Sequence, residues 1–341
     1  MTLIEAYCYE AASPKAPFVR TPFTIDTEQL SPNDVVVKID YTGLCHSDVM
    51  VHDGETFSDV FPFVGGHEGC GLITNVGSSV NPDRIGQRVV IGWFCGSCTD
   101  CQYCHEGSSN LCDHAQLTII GRKGTFASHV VINKNFATPV PEKMLSEEAG
   151  IFACAGTTVA GQILKEVSSS KKAAVISCGG LGHLALQYCV KSGLDTTIIS
   201  RSHTKDDLAL ELGASQVITY EELKDHQQEF DFIINCSSAN IDYPSILNTL
   251  KKNGKITSVS FPSFKDGIPM INLPAPLMLL HQLTFSSAPS PAFHEFPSIL
   301  EFSAHNNIHP LYEVRSISQI NETIADLKAG NARFRYVFKL E

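Results

Sequence analysis

The sequence lacks the features that mark a membrane protein or a nucleic-acid-binding protein. It has no run of 18 apolar residues, which is about the length that a helix needs to cross a bilayer. Basic residues are also scarce, with 25 Lys and Arg against 36 Asp and Glu and a net charge of -11. Because the chain has no basic run, we do not expect nucleic acid or an anionic membrane to be its main partner.

The first residues also show no pattern typical of an export signal. Residues 1–6 have no basic segment followed by a long apolar run, so we expect a cytoplasmic protein. Internal repeats, low-complexity segments and long linkers are also missing. What the sequence does contain is twelve cysteines. In a long chain without an export signal, clustered cysteines favour metal binding over disulfide bonds.

The length and the local patterns predict two domains. A chain of 341 residues exceeds the roughly 100–200 residues of a single domain. In the first 150 residues, short β-prone runs alternate with Gly and Pro turns, which predicts an irregular β domain with long loops. Its clearest predicted strands are 34–39, 71–76 and 87–91.

The pattern changes near Lys171, where apolar runs begin to alternate with helical spacing. The predicted strands are 173–177, 196–200, 216–219, 230–235 and 255–260, and the predicted helices are 183–191 and 206–212. This βαβ alternation is typical of a parallel sheet, so we predict an α/β fold for this half of the chain.

A glycine-rich turn follows the first strand of that half. Gly179, Gly180, Leu181 and Gly182 lie between the strand and the helix, where they would let a pyrophosphate approach the backbone and the helix N-terminus. The dinucleotide fingerprint normally begins with Gly, but this sequence has Ser177 there. The strand–turn–helix context still predicts a dinucleotide-binding site.

The end of the second strand bears on the choice of cofactor. An acidic residue at this position binds the ribose 2'-hydroxyl of NAD, but the sequence has Ser200, Arg201 and Ser202, with Lys205 just beyond. A guanidinium and hydroxyls are suited to a 2'-phosphate, so we predict NADP(H) as the cofactor and NAD(H) as the less favoured one. The alternative is that Arg201 is only a solvated surface charge.

Two short runs in the β domain carry candidate ligands for a catalytic zinc ion. Such an ion has three protein ligands and one open position. Cys45 and His67 are candidates for two of the ligands, and the Ser47 hydroxyl would lie near the open position. A lone cysteine is usually a packing residue, so the prediction needs a third ligand and a cofactor site elsewhere.

A cysteine cluster is the most specific local signal. Four cysteines spaced C-x2-C-x2-C-x7-C can enclose one tetrahedral zinc with no open position. They lie in the lobe 95–113 and are Cys98, Cys101, Cys104 and Cys112. An iron–sulfur cluster also uses four cysteines and is the alternative. Cys95 precedes them as a fifth thiol, either a bystander or a competitor for the metal.

One further run resembles the zinc signature of the medium-chain alcohol dehydrogenases. The positions that match are Gly66, His67, Glu68, Gly69, Cys70, Gly71, Gly77 and Val80. The spacing of the four cysteines resembles the structural-zinc lobe of the same family. The end of the second strand and the Cys-His-Ser-Asp turn at residues 45–48 are most similar to the cinnamyl alcohol dehydrogenase-like branch.

The resemblance implies a division of the chain into two domains with a substrate cleft between them. Residues 1–154 and 289–341 would form a GroES-like, β-rich catalytic domain that carries the structural-zinc lobe. Residues 155–288 would form a Rossmann domain with a doubly wound parallel sheet that binds NADP.

The resemblance also implies metal ligands and catalytic residues. Cys45, His67 and Cys154 would bind the catalytic zinc, with Glu68 close to the metal and able to exchange with a ligand. The second zinc would be structural, on the four-cysteine lobe. The implied catalytic residues are His46, Ser47, Asp48 and Glu68.

Individual roles follow from the same resemblance. Ser47 would exchange a proton with the substrate oxygen, and Asp48 would hydrogen-bond His67 and orient it. Trp93 would line the substrate pocket, with core packing as the alternative. The residues implied at the cofactor outside the glycine-rich turn and the second strand are His46 at the pyrophosphate, Thr158 at the nicotinamide and Arg335 at the phosphates.

Two positions depart from the family pattern. Gly65 replaces the proline that usually precedes the signature, which would loosen the loop without removing a ligand. Met50 replaces the histidine that usually ends the proton relay, and a thioether carries no proton. His52 is a candidate substitute, and release through the ribose and water is another route. We expect slower or more pH-sensitive proton transfer.

Together these patterns predict a zinc-dependent, NADP-preferring alcohol dehydrogenase or aldehyde reductase. It would act on a primary alcohol or aldehyde, with aromatic compounds among the candidates, and it would form a homodimer or homotetramer. Two alternatives remain open: a zinc-free relative of the quinone reductases, and a non-catalytic nucleotide or zinc sensor.

Overall fold

The computed structural model describes residues 3–57, 59–168, 170–264 and 267–341. The chain divides into two compact units. The first comprises Met1–Cys154, Ser290–His305 and His309–Glu341, and the second comprises Ala155–Pro289 and Asn306–Ile308. Within the described ranges, no helix is both long enough and apolar enough to cross a membrane.

The strands and helices alternate differently in the two halves of the chain. The strands are β1 (Leu3–Glu10), β2 (Val19–Asp26), β3 (Asp34–Leu44), β4 (Gly69–Val76), β5 (Arg88–Ile91), β6 (Phe94–Gly96), β7 (Gln116–Leu117), β8 (His129–Asn133), β9 (Thr138–Pro139), β10 (Lys172–Ile176), β11 (Asp195–Ser200), β12 (Gln216–Thr219), β13 (Phe230–Asn235), β14 (Leu250–Ser258), β15 (Thr284–Ser287), β16 (Tyr312–Ser316) and β17 (Arg335–Lys339). The helices are α1 (His46–His52), α2 (Gln102–His105), α3 (Ser146–Ile151), α4 (Thr157–Glu166), α5 (Gly182–Lys191), α6 (Asp206–Glu211), α7 (Tyr243–Asn248), α8 (Ala275–His281), α9 (Phe296–His305) and α10 (Ile320–Lys328).

The first unit is built on a mainly antiparallel sheet with the order β16-β17-β3-β4-β5-β9, with β8 also pairing β3. Strand β3 is rich in β-branched residues, and Val35, Val37 and Ile39 are buried because such side chains pack well on a pleated surface. Phe63 and Phe126 fill the same core. This β-rich unit agrees with the predicted class of the first domain.

The sheet also brings distant residues together. Strand β17 pairs β3 so that Tyr336 lies opposite Leu44, and β3 pairs β4 so that Thr42 lies opposite Gly69. The end of β3 and the starts of β4 and β17 therefore meet at one end of the sheet. The residues just beyond β3 and just before β4 are those predicted to bind the catalytic zinc.

The second unit contains a parallel sheet with the order β12-β11-β10-β13-β14-β15. Numbered within the unit, this is the 3-2-1-4-5-6 order of the doubly wound dinucleotide-binding fold. The predicted α/β class is confirmed. One predicted strand, 255–260, has different limits, because β14 runs from Leu250 to Ser258. Asn253 has a φ of 62°, so the sequence there resembles a turn although the strand continues through it.

Candidate functional site

Residues from three parts of the first unit form a buried group of metal-ligand type. The ligand atoms of Cys45, His67, Glu68 and Cys154 all lie within 4.8 Å of one another. Cys154 Sγ is 3.4 Å from His67 Nε2. Zinc–sulfur bonds of about 2.3 Å and zinc–nitrogen bonds of about 2.0 Å at tetrahedral angles place such atoms roughly 3.5 Å apart. The donor types and the spacing therefore fit zinc.

Local structure places the two cysteines. Cys45 follows β3 as the N-cap of α1, so its side chain lies where the strand turns into the helix. Cys154 lies in the π-helical turn Phe152–Gly156, and π-helical turns are frequent at functional sites. Two sulfurs far apart in the sequence thus reach one imidazole.

Asp48 braces this group through three hydrogen bonds. Its Oδ1 accepts from His67 Nδ1 at 3.1 Å and from the Gly66 main-chain N–H at 2.8 Å. Its Oδ2 accepts from the Cys45 main-chain N–H at 3.0 Å. The bond requires a proton on Nδ1 and turns Nε2 toward Cys154, which is how a supporting carboxylate orients a metal-binding histidine.

Glu68 is fully buried and makes an ion pair with Arg335 through Oε1. Its Oε2 has no hydrogen-bond partner among the described residues, and a buried oxygen without a partner is unusual. A Cβ on Gly43 would lie 2.0 Å from this oxygen, so only glycine leaves room for the carboxylate. The unpartnered oxygen beside three donors is a second observation that fits a metal ion.

The structure therefore places Arg335 beside Glu68, with 6% of the residue exposed. The resemblance implied a role at the cofactor phosphates, and that role stays a prediction. The ion pair with Glu68 was missed by sequence reasoning. No local signal could reveal it, because the two residues are 267 positions apart.

The two sulfurs of the group differ in their ionisation. A hydrogen bond from the Cys154 thiol lowers the pKa of Cys45 well below its ordinary value, while the same bond raises the pKa of Cys154. Burial raises the pKa of Glu68 to about 7, against the opposing charge of Arg335. A thiolate is thus favoured at one of the two sulfurs, and thiolates are the form that binds zinc.

Three further predicted residues lie around the group. The Trp93 ring meets the His67 ring edge to face, with centroids 4.8 Å apart and an interplanar angle of 88°. Ser47 Oγ is 3.7 Å from Cys45 Sγ. His46 is the exposed first residue of α1. Trp93 and Ser47 are therefore beside the metal-ligand residues.

The two departures from the family pattern have a structural setting. A Cβ on Gly65 would approach the Phe126 ring to 2.9 Å, so these aromatic atoms occupy the space that a proline ring would need. Met50 is buried. His52 contacts the Ala16 carbonyl oxygen through Nε2 at 2.8 Å and Asp53 through Nδ1 at 3.3 Å. Both of its ring nitrogens have partners unrelated to the metal-ligand group.

The four-cysteine lobe forms the second metal-ligand group. Cys98, Cys101, Cys104 and Cys112 have sulfurs within 4.8 Å of one another. Main-chain N–H groups donate to the sulfurs, including Cys101 N to Cys98 Sγ at 3.4 Å. Hydrogen bonds from the N–H groups of Asp100 and Cys101 lower the pKa of Cys98 to about 6. Four thiols with such support fit a closed tetrahedral zinc site.

Cys95 is outside that lobe's metal-ligand group. Its sulfur accepts a hydrogen bond from Arg122 Nη1 at 3.0 Å and lies 3.4 Å from the Gln116 carbonyl oxygen. The side chain is buried. These contacts support its interpretation as a bystander rather than a competitor for metal.

The second unit holds the predicted dinucleotide residues. Gly179, Gly180 and Leu181 lie in the turn between β10 and α5, and Gly182 begins α5. A Cβ on Gly182 would lie 1.7 Å from the Ser177 carbonyl oxygen, so this close approach requires glycine. Thr158 is a buried residue in the first turn of α4.

The end of β11 brings polar groups together. Ser200 ends the strand, and Arg201 and Ser202 follow it as exposed residues. Lys205 Nζ donates to the Cys178 carbonyl oxygen at 3.1 Å. Asp206 also lies here and is hydrogen-bonded to His203 at 2.8 Å, so a carboxylate is present beyond the strand.

Comparison with known proteins agrees with this geometry. Residues 31–142 match the alcohol dehydrogenase GroES-like domain, and residues 180–305 match the zinc-binding dehydrogenase family. The chain is 32% identical to an aldehyde reductase of Synechocystis, over 98% of each chain. It is 30% identical to an NADP-dependent alcohol dehydrogenase of Mycolicibacterium smegmatis, over 99% of this chain and 98% of the relative.

Solved structures show the same fold. A cinnamyl alcohol dehydrogenase of Sorghum bicolor matches with a TM-score of 0.90 and 27% identity over 98% of each chain. A Helicobacter pylori protein solved in complex with NADP(H) matches with a TM-score of 0.89 and 26% identity over 99% of each chain. With its two cysteine-containing metal-ligand groups and its doubly wound sheet, the chain belongs to the zinc-dependent medium-chain alcohol dehydrogenase family.

Proposed function

We propose that this chain is a zinc-dependent, NADP(H)-preferring alcohol dehydrogenase or aldehyde reductase. The observation that carries the proposal is the buried group of two sulfurs and one imidazole, Cys45, His67 and Cys154. This donor set leaves a fourth tetrahedral position open, as catalytic zinc sites do. Its hydride chemistry requires a nicotinamide cofactor, for which the doubly wound sheet is the expected support.

Each residue near the metal ligands has a defined task in this proposal. When bound, zinc supplies Lewis-acid polarisation of an alcohol or carbonyl oxygen, and NADP(H) accepts or donates the hydride. Ser47 is the hydroxyl that exchanges a proton with the substrate oxygen. Asp48 holds His67 in the tautomer that presents Nε2 to the metal. Trp93 packs on the His67 ring and forms a wall beside the substrate.

The NADP(H) preference rests on the residues that end β11. Arg201, Ser200 and Ser202 offer a guanidinium and two hydroxyls to a 2'-phosphate. The double substitution Ser200→Asp and Arg201→Gly should lower the kcat/KM ratio for NADPH over NADH by about tenfold to a hundredfold, which is roughly 1.4–2.7 kcal/mol. Unchanged selectivity in the double variant would contradict this part of the proposal.

The substrate class is a primary alcohol or aldehyde, with aromatic aldehydes as the first candidates. Zinc content measured together with NADPH consumption against aliphatic aldehydes, aromatic aldehydes and quinones tests it. We expect two zinc ions per chain and turnover of aldehydes. Quinone reduction by a zinc-free protein would favour a quinone reductase-like activity, and zinc and nucleotide binding without turnover would favour a sensor.

We propose that the chain forms a homodimer or homotetramer through an apolar face on the second unit. Helix α8 has no buried residue, and Leu279 and Leu280 are 78% and 74% exposed. The adjoining groove of about 860 Å³ is lined by Leu273, Ala275, Pro276, Met278, Leu279 and Leu280. Strand β15 follows this helix and forms the edge of the parallel sheet. An exposed apolar patch beside a sheet edge is suited to a second copy.

The oligomeric state tests that face directly. Leu279→Glu and Leu280→Glu should convert the oligomer into a monomer in sedimentation velocity. Leu210→Glu is the matched control, because Leu210 is also exposed, at 48%, on the same unit. A wild-type monomer, or an oligomer that survives both substitutions, would contradict this proposal.

We propose a cytoplasmic location on the basis of the thiol chemistry. None of the twelve cysteines forms a disulfide bond in the described part of the chain, and six of them are among the eight residues of the two metal-ligand groups. Such thiols persist where glutathione and thioredoxin keep them reduced. Recovery of the protein in an oxidising compartment after cell fractionation would contradict this proposal.

A further inference from the structure

The turn between β10 and α5 has an unusual backbone for its sequence. Ser177 has a φ of 76°, in the left-handed region that costs a non-glycine residue roughly 1 kcal/mol. The main-chain N–H of Ser177 donates to the Ile199 carbonyl oxygen at 2.8 Å. Gly182 packs against the carbonyl oxygen of Ser177. The turn is therefore held in a shape that its first residue does not favour.

Two side chains tie the next two carbonyl groups of the turn. Lys205 Nζ donates to the Cys178 carbonyl oxygen at 3.1 Å. His183 Nδ1 donates to the Gly179 carbonyl oxygen at 2.9 Å. His183 is fully buried, and its main-chain N–H reaches the same oxygen at 3.1 Å. Consecutive peptide groups are thus fixed from outside the turn.

Fixing a carbonyl also fixes the N–H of the following residue. In a trans peptide the C=O and the next N–H point in opposite directions in one plane. The bond from Lys205 therefore sets the direction of the Gly179 N–H, and the bond from His183 sets that of the Gly180 N–H. Both N–H groups point away from the side chains that hold the carbonyls.

We propose that His183 and Lys205 are positioning residues that orient the Gly179 and Gly180 N–H groups toward the pyrophosphate of the dinucleotide. The inference rests on the proposed NADP(H) function and adds residues that act through the turn. It makes a specific prediction about selectivity. NAD and NADP share the pyrophosphate, so a change in the turn weakens the binding of both nucleotides. A change at Arg201 weakens the binding of NADP alone.

The central test compares His183→Leu with His183→Asn. Leucine removes the donor, and asparagine keeps an N–H donor near the position of Nδ1. We expect His183→Leu to raise the Kd and the KM for NADPH and NADH alike by about tenfold, which is about 1.4 kcal/mol, with kcat within about twofold. His183→Asn should restore most of the affinity. A role in folding alone would lower the thermal stability without this split between KM and kcat.

Lys205→Met is the second arm, and it removes an exposed side chain, so it remains informative if His183→Leu does not fold. Lys205→Met should lower the affinity for NADH as well as for NADPH, with a larger loss for NADPH if Lys205 also contacts the 2'-phosphate. Arg201→Gly is the contrasting variant, which should lower the affinity for NADPH and leave the affinity for NADH unchanged. Unaltered NADH affinity in both Lys205→Met and any folded His183→Leu would overturn the inference. A wild-type protein that binds neither nucleotide would instead overturn the proposed function.

Discussion

The two metal-ligand groups of the first unit differ in almost every physical respect. One combines two sulfurs, an imidazole and a carboxylate from distant parts of the chain, and it is largely buried. The other takes four sulfurs from residues 98–112, most of them partly exposed. The first is assembled from the ends of β3 and β4 and from the π-helical turn Phe152–Gly156, whereas the second lies within one segment of the chain. In our proposal, the first group is the catalytic site and the second is a structural one.

The support around each group differs in the same way. Asp48 and Arg335 place charged side chains around the buried group, which orients its ligands and compensates their charge. The lobe is supported by main-chain N–H groups such as that of Cys101.

The largest expected effect is the loss of catalytic activity when a ligand of the buried group is removed. His67→Ala and Cys154→Ser should each lower kcat/KM for aldehyde reduction by about a thousandfold or more, roughly 4 kcal/mol, because the metal's polarisation of the substrate is lost. One of the two zinc ions should be lost and the other retained. Steady-state kinetics with metal analysis checks this, and Cys8→Ser is the control cysteine. Full activity in either variant would contradict the catalytic role proposed for the buried group.

The next effect should appear in stability rather than activity. Cys112→Ser should remove the lobe's zinc and lower the Tm by roughly 5–10 °C, because a structural zinc contributes folding free energy. At 25 °C the folded fraction should keep its kcat within a few-fold. Thermal unfolding and kinetics on the same samples measure both, with Cys95→Ser as the matched control outside the ligand group. A variant that loses kcat without losing stability would assign chemistry to the lobe.

A smaller effect is expected from a change at Asp48, which hydrogen-bonds His67 in the buried group. Asp48→Asn should weaken zinc binding by about tenfold to a hundredfold, since carboxylate partners of ligand histidines contribute about that much. Competition with a chelator measures the affinity, and the lobe's zinc should be unaffected. Asp53→Asn changes an aspartate near the same helix that contacts His52 instead, and it should have no effect. Equal chelator sensitivity of all three proteins would contradict the assigned role of Asp48.

The smallest effect concerns the proton path. Met50→His should raise the rate by a few-fold and make it less sensitive to pH, if a histidine at this position completes the relay and proton transfer limits turnover. The pH–rate profiles of the wild type and the variant give the answer. Identical profiles would show that this position has no part in proton transfer here.

Sequence reasoning succeeded where the signal was local. The spacing of the lobe cysteines and the βαβ alternation each lie within short segments, so the metal-binding loop and the α/β class followed from pattern alone. The catalytic ligand set needed more, because Cys154 by itself resembles a packing residue. Its predicted role came from the resemblance to the family.

What the sequence did not reveal depends on contacts between distant residues. The ion pair of Glu68 with Arg335 and the contact of Arg122 with Cys95 join segments that no pattern relates. The early start of β14 was missed because Asn253 reads as a turn residue, yet Leu250 already pairs with Phe230 of β13, and an irregularity in the register separates this pair from that of Lys255. Register and tertiary packing decided these features, and neither is visible in local propensity.

The most direct test of the central claim is anomalous X-ray scattering at the zinc absorption edge from crystals of the active protein. The account predicts two peaks per chain, one enclosed by the four lobe sulfurs and one contacted by Cys45 Sγ, His67 Nε2 and Cys154 Sγ. A crystal of protein that oxidises NADPH with aldehydes but shows no peak at those three atoms would contradict it.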